Sequence, residues 1–151
     1  MNKGDETVKT PDPEYAKAAE QVFIGASFVT DVGLELLEVG PGWAETRLGV
    51  LPRHHQQTGI VHAGVQATMA DHTSGTAATT VLRQDEFVLS TVINLNLLRP
   101  ATGQELRCRA TVLKPGRQIV VVEAEVYASI DGASILVSKA TVTLAVLKKQ
   151  A

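Results

Sequence analysis

One carboxylate stands apart in this sequence. Between Arg53 and Arg83, Asp71 is the sole formally charged residue, set in the small-residue stretch 60–82. An acid taken out of water without a partner is costly. Asp71 is therefore either pinned to a hydroxyl such as Ser74 or Thr68, or used in a reaction. Nine residues earlier stands His62, followed by Ala63 and Gly64 at the start of the same stretch. The first-turn N–H groups of a helix lack intrahelical acceptors, and the helix dipole adds positive charge there, which suits a developing oxyanion. A lone acid on an otherwise uncharged stretch and unpaired amides at its start are thus the candidate reactive groups.

Spacing adds a constraint. Nine residues on a continuous helix turn through about 180° and rise about 13 Å, so His62 and Asp71 do not readily share a site within one chain. If both act, two protomers must supply them.

Other chemistries find less support. His54, His55, His62 and His72 show no His-x-x-x-His pair and no carboxylate-rich company, so neither a metal nor a cofactor is expected. Cys108 is the only cysteine, which excludes an intramolecular disulfide, and its place in an alternating strand reads as small core. There is no Gly-x-Ser-x-Gly elbow and no phosphate loop.

The elements that must position these residues can be read from periodicity. Asp12 and Pro13 open a helix reaching about Phe23, with Tyr15, Ala18, Ala19, Val22 and Phe23 as its apolar stripe. Residues 32–39 and 43–51 read as a hairpin over Gly40-Pro41-Gly42, and 52–59 as a polar loop. Residues 60–82 form a long narrow helix, in which Gly64 and Gly75 suggest close backbone approach. Four strands follow, over 87–98, 104–113, 118–129 and 134–147, with turns at Pro115-Gly116 and Asp131-Gly132. Leu106, Cys108, Ala110 and Val112 should face inward, as should Leu136, Ala140, Val142, Leu144 and Val146. Val, Ile and Thr fill 40 positions, which suits a sheet-rich chain. The order predicts an α+β fold, an antiparallel sheet wrapped around one long central helix.

Composition narrows the class. The chain has 151 residues, 44% of them apolar and 20% charged, with a net charge of −2. That fits one ordinary globular domain rather than a disordered segment. The expected division is a polar leader and short helix over 1–25, with residues 1–10 frayed, then a single domain over 26–151. No apolar run approaches the roughly 20 residues of a membrane span, and the opening lacks a signal peptide's apolar core, so a cytoplasmic location is expected. The charge is uneven: 6 basic against 12 acidic residues through Thr91, then 8 basic against 4 acidic from Val92. With aromatics at 4% and no dense basic cluster, nucleic acid is not an expected partner.

The run Gly59-Ile60-Val61-His62-Ala63-Gly64, followed seven residues later by Asp71, resembles the hotdog-fold thioesterases, in particular the phenylacetic-acid-degradation (PaaI-like) branch. Ser90-Thr91-Val92-Ile93-Asn94-Leu95-Asn96-Leu97-Leu98-Arg99-Pro100 resembles that family's third strand. Gln56 stands where the family usually has Asn, and Ala63 where it has Gly. The resemblance spans roughly residues 25–147. It implies a hotdog fold, an acyl-CoA substrate with a short, medium or aromatic acyl group, and hydrolysis to free acid and thiol. Asp71 is implied as general base or nucleophile, and the Ala63 and Gly64 amides as oxyanion donors. Gln56 would polarise the carbonyl or hold the water, Thr91 would position water, and His62 would orient the loop or hydrogen-bond locally rather than act as the base. Arg99, Lys114, Gly116 and Arg117 are implied contacts to coenzyme A. The family's composite sites imply a homodimer, and beyond it a dimer of dimers. A hotdog dehydratase or hydratase, or a non-catalytic acyl-CoA sensor, are the alternative readings.

Overall fold

The computed structural model describes residues 8–151; through residue 7, the opening expected to fray lies outside the described residues. The helix expected to open at Asp12 and Pro13 begins two residues later, with Glu14 as an N-cap that makes no side-chain cap, while Asp12 Oδ1 accepts from the Glu14 N–H at 2.9 Å in the turn before it. Helix α1 then runs Tyr15–Ile24, burying Ala19 and Phe23 but leaving Val22 half exposed. The strand expected from Val32 begins later. Ser27–Val32 form a short helix, α2, closed by Gly33 in the left-handed region at φ 96°. Six residues are too few for a helical period to be read, and burial of Val29 against the core is what holds them.

Strands β1 (Leu34–Gly40) and β2 (Trp43–Gly49) make the expected hairpin, followed by a single 3-10 turn over Pro52–His54. The long helix α3 spans Ala63–Thr79, so it starts three residues after the expected point, with His62 outside it as N-cap. Strands β3 (Glu86–Leu97), β4 (Glu105–Pro115), β5 (Ile119–Ile130) and β6 (Ala133–Lys148) complete one sheet in the order β1-β2-β4-β5-β6-β3, with all neighbours antiparallel. Asp131 and Gly132 take φ 49° and 79° at the tip of the β5–β6 hairpin, the left-handed pair that a two-residue turn requires. Among the described residues, no helix is long and apolar enough to cross a membrane.

Helix α3 contacts all six strands. The sheet turns Ala44, Thr46 and Leu48 of β2, Leu106 through Val112 on alternate positions of β4, and Val120 through Ala128 on alternate positions of β5 toward it. One expected inward residue is displaced. In β6 the pairing steps from Val126↔Ser138 to Tyr127↔Leu136, making Val137 a bulge. Val137 is then fully buried, while Leu136 is only half buried. The carbonyl of Val137 accepts from both Leu98 N (2.8 Å) and Arg99 N (3.1 Å), which ends β3 at that point. The outer face of the sheet carries ion pairs instead, such as Arg47–Glu35 at 2.7 Å and Lys139–Glu123 at 3.1 Å, with Arg109 stacked 4.1 Å over Trp43.

Helix α3 meets the sheet largely through small and hydroxyl side chains, Ala70, Thr73, Ser74, Ala77 and Ala78 among them. Thr73 and Thr46 share a fully buried hydrogen bond of 2.8 Å. Gly75 departs from the expectation of close approach, because a Cβ built there meets nothing within 4 Å. Helix α1 packs on α3 through His72, whose Nε2 donates to the Phe23 carbonyl at 3.2 Å and whose ring lies 4.9 Å from that of Phe23. Burial holds the His72 pKa below its ordinary value of 6.5, against the raising effect of the Phe23 carbonyl and Asp71. The unfolded chain therefore takes up a proton near pH 6.5 that the folded chain resists until lower pH. This contribution to stability is complete above that value and declines as pH falls below it. Thermal unfolding of wild type and His72→Asn between about pH 5 and about pH 8 checks this. The melting temperature of wild type should fall more steeply on the acid side than that of the variant; parallel curves would remove His72 as the cause.

Candidate active site

The lone acid of α3 has a partner, and it comes from the sheet. Ser90 pairs with the buried Leu144 across β3 and β6, so its side chain faces the helix. Its Oγ donates to Asp71 Oδ1 at 2.5 Å. Asp71 itself is half buried. The pairing skips from Ser90 to Val92, leaving Thr91 as the extra residue of a bulge, and Thr91 Oγ1 donates to the Thr143 carbonyl at 3.1 Å. The hydroxyl on the acid is thus Ser90, the residue before Thr91, which is the residue expected to position water. The Ser-Thr pair was visible in the sequence, but strand alternation carries no mark of a bulge.

Four of the other expected residues gather elsewhere. Gln56, His62, Ala63 and Arg99, with Gln66 and Leu97, line a cavity of about 450 Å³. Three ties build its wall. The His62 N–H donates to the His54 carbonyl at 2.8 Å, the Gln56 N–H to the Ile60 carbonyl at 2.8 Å, and the Val61 N–H to the Ala101 carbonyl at 2.9 Å, just beyond β3. His54 is buried beneath them. Its Nδ1 accepts from Leu51 N at 2.9 Å and its Nε2 donates to the Val32 carbonyl at 2.7 Å. Gln56 closes its own loop: Oε1 accepts from Thr58 N and Nε2 donates to Thr58 Oγ1, both at 2.6 Å. One Nε2 proton is left for a ligand. Asp71 is not part of this cavity wall. Two larger hollows, about 630 and 720 Å³, flank α1 and contain none of the expected site residues.

The helix start refines the expected oxyanion site. His62 Nδ1 accepts from the Gly64 N–H at 2.8 Å, so that amide is already engaged. The Ala63 N–H has no acceptor among the described residues and remains available. Because Nδ1 accepts, the neutral His62 ring carries its proton on Nε2, as a donor. Gly64 makes the fold-back possible, since a Cβ there would lie 3.0 Å from His62 Nδ1.

Arg99 is exposed at the cavity, with Nη1 on the Leu136 carbonyl at 3.0 Å. Lys114 and Arg117 are exposed at the β4–β5 hairpin, where a Cβ on Gly116 would collide with the Ile119 carbonyl. Burial pushes the Cys108 thiol up to about 12, so it is no thiolate nucleophile near neutral pH.

A six-stranded antiparallel sheet around one long helix defines a hotdog fold. The chain belongs to the thioesterase superfamily, whose sequence model matches residues 58–135. A thioesterase family protein of Silicibacter pomeroyi is 31% identical and superposes with a TM-score of 0.87, covering 89% of this chain and 98% of that one. The 1,4-dihydroxy-2-naphthoyl-CoA hydrolase of Listeria monocytogenes is 29% identical over 119 residues, 79% of this chain and 94% of that enzyme. The proofreading thioesterase EntH of Klebsiella pneumoniae is 27% identical over 101 residues, 67% of this chain and 74% of that enzyme.

The cap at the start of α3 can be measured. His62→Ala should lower stability by about 1 kcal/mol, the usual worth of an N-cap. Gly64→Ala, a change that favours most helices by about 1 kcal/mol, should here fail to stabilise because the methyl displaces His62. Urea titration of both variants reads the outcome, and a Gly64→Ala protein more stable than wild type would show that the fold-back contributes nothing.

Proposed function

We propose that this thioester hydrolase acts on acyl-CoA at sites composed between two subunits, Asp71 of one facing the cavity of the other. The observation that carries the reading is the distribution of parts along β3. Ser90, which holds Asp71, lies near the middle of that strand, and Leu97 at its end lines the cavity. Seven residues of extended chain separate them by about 23 Å. Strand β3 is also a sheet edge of 12 residues, with Leu89, Val92, Ile93 and Leu97 between 44% and 55% exposed. Such an edge calls for a cover. Antiparallel pairing with β3 of a second copy, about a two-fold axis near Ile93 and Asn94, covers it and sets each Ser90 beside the partner's cavity.

In that arrangement Asp71 takes a proton from water, whose oxygen adds to the thioester carbon, or the carboxylate attacks that carbon itself. The oxyanion accepts from the Ala63 N–H and from the spare Gln56 Nε2 proton. Collapse breaks the C–S bond, and the departing thiolate takes up a proton, from protonated Asp71 in the first course and from water in the second. In the second course the acyl–Asp71 anhydride is then hydrolysed by water, which frees the acid and restores the carboxylate. Ser90 fixes one carboxylate oxygen and leaves the other for the reaction. A hydratase would need an imidazole working with the acid, and hydrolysis is favoured over it by the match to the thioesterase superfamily and by relatives named as a CoA hydrolase and a thioesterase.

Coenzyme A as the thiol is supported by the Listeria relative, which acts on a naphthoyl-CoA, and by exposed cations around the parts. Arg99 stands at the cavity, and the hairpin of Lys114, Gly116 and Arg117 joins the Ser90 row through Pro115↔Val120↔Leu144. These residues are assigned to its phosphates. On the outer face, Leu89, Ala145 and Ile119 form one apolar row across β3, β6 and β5. That row supports a second association, dimer on dimer.

Asp71→Asn should lower kcat for thiol release about 10²- to 10⁴-fold while the protein stays folded and assembled. Ser90→Ala should cause a smaller loss. Co-refolding Asp71→Asn with Gln56→Ala should restore activity, because a mixed dimer contains one site with both residues intact. Near-wild-type turnover by Asp71→Asn, or mixtures no more active than their parents, would overturn the composite mechanism.

A further inference from the structure

Three buried side-chain oxygens have no hydrogen-bond partner among the described residues: Gln66 Oε1, Ser74 Oγ and Ser138 Oγ. Only Gln66 lines the cavity that carries Ala63, Gln56 and Arg99. Gln66 is 3% exposed. Its Nε2 donates to the Val61 carbonyl at 3.5 Å, which orients the amide and leaves Oε1 as the unmatched atom. A serine hydroxyl can rotate toward a nearby carbonyl, whereas a fixed amide oxygen can only accept. Leucine or methionine would fill the same volume without the penalty of a lone buried acceptor. A glutamine here is therefore poorly explained by packing.

Position along α3 gives the acceptor a reading. Gln66 follows Ala63 by three residues, so the two lie on one face about 5–6 Å apart. A carbonyl held at the Ala63 N–H places atoms three or four bonds away within reach of Gln66 Oε1. We propose that Gln66 is a specificity-determining residue, with Oε1 accepting a hydrogen bond from an O–H or N–H group of the bound thioester about one helical turn from its carbonyl. This rests on the acyl-CoA reading above. Two parts of such a substrate carry a donor at that distance: a hydroxyl on the acyl group, or the first amide N–H of the pantetheine arm. A plain hydrocarbon acyl group supplies none.

The test measures kcat and KM for thiol release by wild type, Gln66→Leu and Gln66→Met, using matched pairs of hydroxylated and deoxy acyl-CoA substrates, with melting temperatures recorded alongside. The substitutions should leave the melting temperature unchanged or raise it, and should act on KM more than on kcat. A loss of about tenfold or more in kcat/KM confined to the hydroxylated members assigns the acyl hydroxyl. An equal loss on both members of each pair assigns the pantetheine amide. Unchanged kcat/KM in both variants, or losses that track a fall in melting temperature, overturn the inference while leaving the acyl-CoA reading intact. Wild-type inertness toward every acyl-CoA overturns both.

Discussion

The hydrogen bond between Thr46 and Thr73 is small, but the placement of the chemistry depends on it. Helix α3 presents mostly alanines and hydroxyls to the sheet, and such a surface has few large knobs to fix the rotation of a helix. A fully buried hydroxyl pair supplies that fix, since separating it would strand two polar groups in the core. Thr73 lies two residues beyond Asp71, about 200° around the helix. Holding Thr73 against β2 therefore turns Asp71 toward the far side of the sheet, where β3 brings Ser90. The small residues let the helix sit close, and the threonine pair decides which way the acid looks.

Much of this was legible because periodicity and turn chemistry agreed. The alternation of Leu106, Cys108, Ala110 and Val112 and the Asp131-Gly132 turn fix β4 and the last hairpin, and the narrow uncharged stretch fixes α3. What escaped were single-residue events. A bulge at Thr91 leaves Ser90 as the hydroxyl on Asp71, and a bulge at Val137 exchanges it with Leu136 in the core. Neither alters composition, and both are decided by pairing across strands distant in sequence. Gly75 misled in another way. A glycine in a helix suggests contact, yet here it leaves open space one turn beyond Asp71 on the same face.

The site shows a similar division between pattern and detail. The sequence around His62 points to amides at a helix start, but not to the imidazole folding back over Gly64 to occupy one of them. That contact depends on a histidine conformer, and the room for it depends on the missing methyl. The outcome is economical: one residue caps the helix, fixes its own tautomer and leaves a single amide, at Ala63, for a ligand.

The extra residue at Val137 has a bearing on how this chain can vary. Its carbonyl receives the N–H groups of both Leu98 and Arg99, so one peptide unit of β6 sets where β3 leaves the sheet and where the guanidinium of Arg99 begins its reach. Substitutions along 133–137 change side chains and leave that count alone. An insertion or deletion there changes the count itself, and would carry the cavity rim along the strand by a residue, flipping its faces. Related chains should thus accumulate length differences beyond the hairpin tip or in the loops, while the number of residues from that tip to the bulge holds constant even where their identities do not.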